Sequence, residues 1–208
     1  MDEGYVKYTA RHENSQIPQA ALAAQQLPEL NEARTKCFTL GLVGVYPNGI
    51  GYGNLSIRVQ DDEFLISGTA TGAKPVLSNE DYCLVKSFDI VRNSVVSCGL
   101  IQASSESMTH GAVYRAGHGV NCVIHIHSKK IFDGLLRDNY PFTPKEAAFG
   151  TPEIALAIGK CVEKSGREED KIVLAGHDEG IIVYGANVER AWQVILELHN
   201  NHNKYTGE

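Results

Sequence analysis

The chain has 208 residues, of which 43% are hydrophobic and 21% are charged, and this composition is typical of a globular protein with one core. Its net charge of -6 argues against a nucleic-acid-binding protein, because such surfaces are normally basic. No apolar run approaches the roughly 20 residues that span a bilayer. We therefore expect neither a nucleic-acid partner nor a membrane partner.

The N-terminus and the cysteines indicate the cellular compartment. Residues 1–16 are polar and lack the layout of a secretory signal peptide, and we expect a flexible N-terminal arm there, followed by a single domain over residues 17–208. The five cysteines are scattered without a CxxC pair, which is typical of reduced thiols. The sequence thus predicts a cytoplasmic protein.

The hydrophobic pattern predicts alternating strands and helices. A helix begins near Pro28 and ends near Gly44, and the glycine-rich stretch 47–53 leads into a hairpin. The elements predicted from there on are strands at 55–59, 64–67, 82–86 and 90–96, a helix from Ser104 or Ser105 to about Ala116, a strand at 122–127, helices at 129–137 and 152–164, strands at 171–174 and 180–184, and a helix from Val188. This order favours an α/β domain with a largely antiparallel central sheet flanked by helices.

Two histidines one residue apart stand in the apolar strand at 122–127. Side chains alternate across a strand, so His125 and His127 share one face, where two unpaired polar rings would be costly. His177 lies between two short strands, either as a turn residue or as a third metal ligand with Asp178 or Glu179 as an outer partner. Three histidines and a nearby carboxylate, Glu106, suit Zn²⁺.

Five motifs in this order resemble the class II aldolase/adducin family. They are Gly53-Asn54-Leu55-Ser56, Thr71-Gly72, Ser104-Ser105-Glu106 with His110, His125-Ile126-His127, and His177, and the resemblance covers about residues 28 to 200. It implies the single-domain fold of that family, a Zn²⁺ site of three histidines, and a catalytic Glu106 that can also ligate the metal. It further implies a homotetramer and a phosphate site formed by Asn54, Thr71, Gly72, Ser104 and Ser105.

The chemistry of these residues agrees with that resemblance. A Zn²⁺ with open positions polarises a ketose carbonyl and stabilises an enediolate, while Glu106 moves the proton. Related ribulose-phosphate 4-epimerases typically carry aspartate there, which counts against epimerisation. Lys74 could add charge to the phosphate site or be solvated, and His110 could support Glu106. Tyr205 is a candidate acid by its position alone.

The sequence therefore predicts a zinc-dependent lyase, an aldolase that cleaves a phosphorylated ketose to dihydroxyacetone phosphate and an aldehyde. The first alternative is a dehydratase that resembles methylthioribulose-1-phosphate dehydratase and shares the zinc site. The second is a binding module that resembles adducin and lacks catalysis, which the intact set of Glu106 and three histidines disfavours. The sugar and the aldehyde product stay open.

Overall fold

A computed structural model describes residues 8–23 and 26–203 of the chain, so the candidate acid Tyr205 lies outside the described residues. The helices are α1 (Gln19–Ala23), α2 (Leu27–Thr39), α3 (Ser107–Ala116), α4 (Lys129–Arg137), α5 (Pro152–Ser165) and α6 (Val188–Asn203). The strands are β1 (Thr9–Asn14), β2 (Gly44–Val45), β3 (Gly51–Tyr52), β4 (Asn54–Gln60), β5 (Glu63–Ser67), β6 (Tyr82–Asp89), β7 (Ser94–Gly99), β8 (Cys122–His127), β9 (Asp170–Val173) and β10 (Gly180–Gly185).

Eight of the described strands form the central sheet, in the order β1-β7-β6-β5-β4-β8-β10-β9. All neighbours in it are antiparallel except β1 and β7. The strands β2 and β3 form a separate short hairpin beside the sheet. The predicted α/β domain with a largely antiparallel sheet is confirmed.

Helices cover both faces of the sheet, as the alternation of side chains along β8 shows. Ile124 and Ile126 pack in a core with residues of α2 and α6, whereas Val123 packs in a second core with residues of α3 and α5. Since successive strand residues point to opposite faces, His125 and His127 share the face of Val123. The histidine pair therefore faces the α3 and α5 layer.

The N-terminal segment differs from the predicted arm over residues 1–16. Residues Thr9–Asn14 form β1, which pairs in parallel with β7 from Thr9 opposite Ser94 to Asn14 opposite Gly99. Most of its side chains are exposed, so the sequence reads as polar although the backbone extends the sheet. Residues 1–7 lie outside the described chain, and the start of the domain at residue 17 stays a prediction.

Several element boundaries also differ from the sequence prediction, among them the end of α2, which lies at Thr39 rather than near Gly44. The strand expected from residue 90 begins at Ser94, because residues 90–93 form the turn after β6 and Asn93 adopts a positive φ of 47°. The helix expected from Ser104 or Ser105 begins at Ser107. All five cysteines are free thiols. Among the described helices, none combines the length and the apolar character needed to cross a membrane.

Candidate active site

The three predicted histidines meet at the end of β8. The ring centroids of His125 and His127 lie 4.8 Å apart, as expected for side chains two residues apart in a strand. His177 is delivered by the tight connection between β9 and β10, in which its N–H donates to the Leu174 carbonyl over 2.8 Å. One ligand nitrogen from each histidine lies within 4.8 Å of the others, so the cluster could hold a metal ion.

A glycine and a phenylalanine shape the space around these rings. In the antiparallel register of β8 and β10, Gly180 lies opposite His127. A Cβ atom on Gly180 would approach to 2.7 Å from His177 Cδ2 and to 3.1 Å from His125 Nε2, so a larger residue would displace the ligands. The Phe149 ring stacks on His177 with centroids 4.9 Å apart, which fixes the third imidazole.

The protonation state of this cluster suits a metal. Burial, together with the neighbouring His127 and His177, lowers the pKa of His125 well below its usual value. Burial and His177 lower the pKa of His127 to about 3. Both rings are therefore neutral near pH 7, and the neutral imidazole is the form that coordinates metal ions.

The hydrogen bonding of His125 provides a direct test of the fit. Its side chain is 1% exposed, and neither Nδ1 nor Nε2 has a hydrogen-bond partner among the described residues. A buried polar group without a partner costs about 1 to 3 kcal/mol. A metal ion bound by one of these nitrogens would remove part of that cost, so the three histidines fit a catalytic metal site with an open coordination position.

The outer ring nitrogen of His127 belongs to a short hydrogen-bonded relay. Its Nδ1 lies 2.8 Å from Tyr46 Oη, and Tyr46 Oη lies 3.2 Å from Glu179 Oε2. If Nε2 of His127 ligates the metal, Nδ1–H donates to the Tyr46 oxygen and the Tyr46 hydroxyl donates to the carboxylate. Glu179 was expected as an outer partner of His177, but it is connected through Tyr46 to His127 instead, and Tyr46 itself was not predicted.

Glu106 lies beside the histidines in a small cavity of about 30 Å³. It is the residue that precedes α3, its side chain is 3% exposed, and Oε2 accepts a hydrogen bond from Thr109 Oγ1 over 2.8 Å. Within the described residues, the cluster of potential ligands consists of the three histidines without Glu106. Both predicted roles of Glu106, proton transfer and metal ligation, stay predictions.

His110, expected as a support for Glu106, forms its side-chain hydrogen bond with the core. Its Nδ1 lies 2.6 Å from Ser56 Oγ, which in turn lies 2.7 Å from the Tyr114 hydroxyl. The residue is fully buried, and burial lowers its pKa to about 3. His110 therefore contributes a neutral ring to the core behind the site.

A larger cavity of about 340 Å³ adjoins the metal cluster. It is lined by all five residues predicted to bind phosphate, namely Asn54, Thr71, Gly72, Ser104 and Ser105. The two cavities share lining residues, among them Tyr52, Asn54 and Ser105. Ser104 Oγ also accepts a hydrogen bond from the Glu106 N–H over 3.3 Å, which links the polar cavity to the carboxylate. The structure thus brings the predicted phosphate residues together.

Two basic residues near this cavity differ from expectation. Lys74 forms an ion pair with Asp81, and it is absent from the described residues that line the cavity. Arg34, which was not predicted from the sequence, is 3% exposed and donates hydrogen bonds to the loop that lines the cavity. Its position in the sequence could have indicated that it is buried, because with Leu30, Ala33 and Cys37 it completes the buried i, i+3, i+4, i+7 stripe of α2. An arginine in such a stripe needs partners for its charge.

Comparison with known proteins was made at the level of families, sequences and structures. Residues 48–132 match the model of the family described as Class II Aldolase and Adducin N-terminal domain. This segment includes every predicted site residue except His177. The resemblance to the class II aldolase/adducin family is confirmed. No curated protein sequence matches the chain.

Solved structures of sugar-phosphate aldolases share the fold. The L-fuculose-1-phosphate aldolase from Thermus thermophilus is 20% identical with a TM-score of 0.61, over 83% of this chain and 88% of that chain. A sugar-phosphate aldolase from Thermotoga maritima is 16% identical with a TM-score of 0.61, over 83% and 89%. The L-fuculose 1-phosphate aldolase from Glaciozyma antarctica PI12 is 18% identical with a TM-score of 0.57, over 90% and 75%. At these identities the likeness concerns the fold.

Proposed function

We propose that this protein is a zinc-dependent aldolase that cleaves a phosphorylated ketose to dihydroxyacetone phosphate and an aldehyde. The observation that carries the proposal is the position of Glu106, a buried carboxylate that shares one small cavity with His125, His127 and His177. A cavity lined by neutral hydrogen-bonding groups adjoins it on the side of Ser105. A metal, a proton-transfer group and an anion pocket are the three parts that such a cleavage needs.

The three histidines would hold the metal, and a set of three neutral imidazoles is typical of catalytic Zn²⁺ sites. When bound, Zn²⁺ supplies Lewis-acid polarisation of the ketose carbonyl. His177 is held by the stacked Phe149 ring and His127 by Tyr46, so two of the ligands are oriented before a metal arrives. Preoriented ligands reduce the cost of assembling the site.

The polar cavity would hold the phosphate end of the substrate. Asn54, Ser104 and Ser105 supply side-chain donors, and Gly72 allows the backbone to approach the ligand closely. Because Asn54 and Ser105 line both cavities, a bound phosphate would place the adjacent carbons of the sugar beside the histidines. Binding at this end would orient the substrate for reaction.

Glu106 would transfer the proton. Cleavage breaks a C–C bond: the hydroxyl group of the departing fragment loses its proton as it becomes the aldehyde carbonyl, the electron pair of the bond stays with the phosphate-bearing fragment, and the carbon of that fragment gains a proton. Thr109 holds Oε2 of Glu106 by a hydrogen bond of 2.8 Å, which orients the carboxyl group within the cavity it shares with the histidines. In the reverse direction the same carboxylate would remove the proton. We further propose a cytoplasmic homotetramer with its active sites at subunit interfaces.

A substrate screen of the zinc-loaded protein tests this function. Metal analysis should give close to one Zn²⁺ per chain, and incubation with ketose 1-phosphates should release dihydroxyacetone phosphate in a coupled assay. Loss of substrate with loss of water and without triose phosphate would identify a dehydratase. A protein that binds no metal and turns over none of these sugars would be a binding module.

A further inference from the structure

We propose that Arg34 is a positioning residue for phosphate binding, although it does not line the phosphate cavity. Its guanidinium group orients the loop 71–75 so that the backbone N–H groups of Gly72 and Ala73 face the phosphate. This inference rests on the proposed function in one respect, namely that the cavity binds a phosphate group. It assigns the determinant of that binding to a residue on α2, outside the family motifs.

The hydrogen bonds of Arg34 are all directed at one loop. Its Nη2 donates to the carbonyls of Thr71 and Gly72 over 3.1 Å and 3.2 Å. Its Nη1 donates to the carbonyl of Pro75 over 3.0 Å and to that of Lys74. Four carbonyl groups within five residues thus converge on one guanidinium, which fixes the path of the loop more tightly than a single contact would.

The geometry of the peptide bond extends this effect to the opposite side of the loop. In a trans peptide the C=O of one residue and the N–H of the next point in opposite directions, and no cis peptide occurs in the described chain. The carbonyls of Thr71 and Gly72 point at Arg34, so the N–H groups of Gly72 and Ala73 point away from it. Both residues line the cavity.

These N–H groups are available to a ligand. Among the hydrogen bonds between described residues, none has the N–H of Gly72 or Ala73 as its donor. Successive free N–H groups of this kind form an anion-binding concavity. The loop is also held from its other side, because a Cβ on Gly72 would lie only 2.2 Å from the Gly44 carbonyl oxygen. The peptide groups of this loop therefore cannot rotate without breaking the hydrogen bonds to Arg34 or moving the Gly44 carbonyl.

The charge of Arg34 completes the argument. The described residues that line the cavity include no lysine or arginine. Among the ion pairs between described residues, none includes Arg34. A guanidinium stays protonated, and a buried charge is screened far less than an exposed one. The Asp81 carboxylate acts on Arg34 through its charge but is shared with Lys74, and a phosphate in the cavity would add a further negative charge.

The test compares Arg34→Lys with a matched control. Arg58 also donates to four backbone carbonyls, those of Asp61, Tyr114, Gly117 and Val120, none of which lines the phosphate cavity. The dissociation constant for inorganic phosphate is measured by calorimetry on the zinc-loaded proteins, with the melting temperature in phosphate-free buffer as the measure of structural damage. Arg34→Lys should weaken phosphate binding by at least about tenfold, because a lysine cannot hold four carbonyls, whereas Arg58→Lys should change it less than about twofold.

Phosphate affinity that is unchanged in Arg34→Lys, or reduced equally in Arg58→Lys, would overturn the inference. If wild-type protein binds phosphate but releases no triose phosphate from any ketose, the proposed function fails and the role of Arg34 stands. If wild-type protein binds no phosphate, both fail.

A second measurement uses the wild-type protein alone, so it tests the proposal even if Arg34→Lys does not fold. In the ¹⁵N-labelled wild-type protein, phosphate should shift the amide resonances of Gly72 and Ala73 more than those of the loop at Gly117. Resonances that do not move while phosphate binds would equally refute the proposal.

Discussion

Replacement of Tyr46 by phenylalanine should weaken metal binding. Tyr46 lies 81 residues before His127 in the sequence and is not part of the histidine motif. The change removes one hydroxyl group, which lies 2.8 Å from His127 Nδ1 and 3.2 Å from Glu179 Oε2. The ring itself stays, with its centroid 4.4 Å from that of Tyr52. The perturbation is thus confined to the relay behind one ligand.

The magnitude follows from the two hydrogen bonds that are lost. A net hydrogen bond contributes about 0.5 to 1.5 kcal/mol, and one that involves a charged group contributes about 1.5 to 3 kcal/mol. Only the part of this free energy that stabilises the metal-bound form over the metal-free form affects the metal affinity. Loss of a hydrogen-bond partner of a metal ligand typically lowers the metal affinity by about 10- to 100-fold. We therefore expect the zinc dissociation constant of Tyr46→Phe to rise by about 10- to 100-fold, or about 1.4 to 2.7 kcal/mol.

The assay is competition for Zn²⁺ against a chromophoric chelator, supported by melting curves at fixed free zinc. Tyr52→Phe is the matched control, because the Tyr52 hydroxyl donates to the Gly41 carbonyl over 3.2 Å instead of contacting a histidine. Its zinc affinity should stay within about threefold of the wild-type value, since no outer partner of a ligand is lost. Equal affinities for Tyr46→Phe and the wild type would refute the relay as a determinant of metal binding.

Three further predictions follow from individual contacts. Glu106→Gln should lower turnover by at least about 100-fold while zinc content stays near one per chain, since a proton-transfer group contributes about 10² to 10⁴ in rate; unchanged turnover would exclude the proton-transfer role. Gly72→Ala should weaken phosphate binding and lower the melting temperature, because the new Cβ would lie 2.2 Å from the Gly44 carbonyl oxygen. The control is Gly159→Ala in α5, where the nearest atoms would lie 4.0 Å from the new Cβ, and this variant should have an unchanged or higher melting temperature. Burial lowers the pKa of His110 to about 3, so between pH ~6.5 and that value the unfolded chain protonates His110 more readily than the folded chain does. The free energy of unfolding of the metal-free protein should therefore fall by about 1.4 kcal/mol per pH unit as the pH falls through this range. Urea titrations at several pH values measure this slope, which should become shallower in His110→Gln.

The part of the site that the sequence predicted depends on local geometry. Alternation along one strand is enough to place His125 and His127 on one face, and β8 has the predicted bounds of residues 122–127. His177 could be read as a turn residue or a ligand, because its position depends on how β9 and β10 pair across a turn of six residues. The pairing of β10 with β8, in which Gly180 lies opposite His127, brings His177 beside the pair, and its role as a ligand stays a prediction.

The part that the sequence did not predict depends on contacts between distant segments. Tyr46 precedes His127 by 81 residues and reaches it through the short hairpin of β2 and β3, which has no strong hydrophobic pattern. The contacts of Arg34 with the loop 71–75 span about 40 residues. Residues 9–14 were assigned to an arm because their side chains are polar, yet an edge strand needs only its backbone to pair.

The net charge of -6 makes the proposed substrate a physical problem, because a sugar phosphate carries the same sign as the protein. Surface lysines would help little, since exposed charges are screened within about 10 Å at moderate salt. Lys74, the lysine nearest to the cavity in sequence, is already paired with Asp81. The chain instead buries the positive charge of Arg34 behind the loop 71–75, and a metal ion held by the three histidines would add a second buried positive charge. Both charges act through a medium of low polarity, where an interaction over the same distance is several times stronger than in water. An acidic protein could in this way hold an anion between two buried positive centres, with Glu106 in the small cavity that it shares with the histidines.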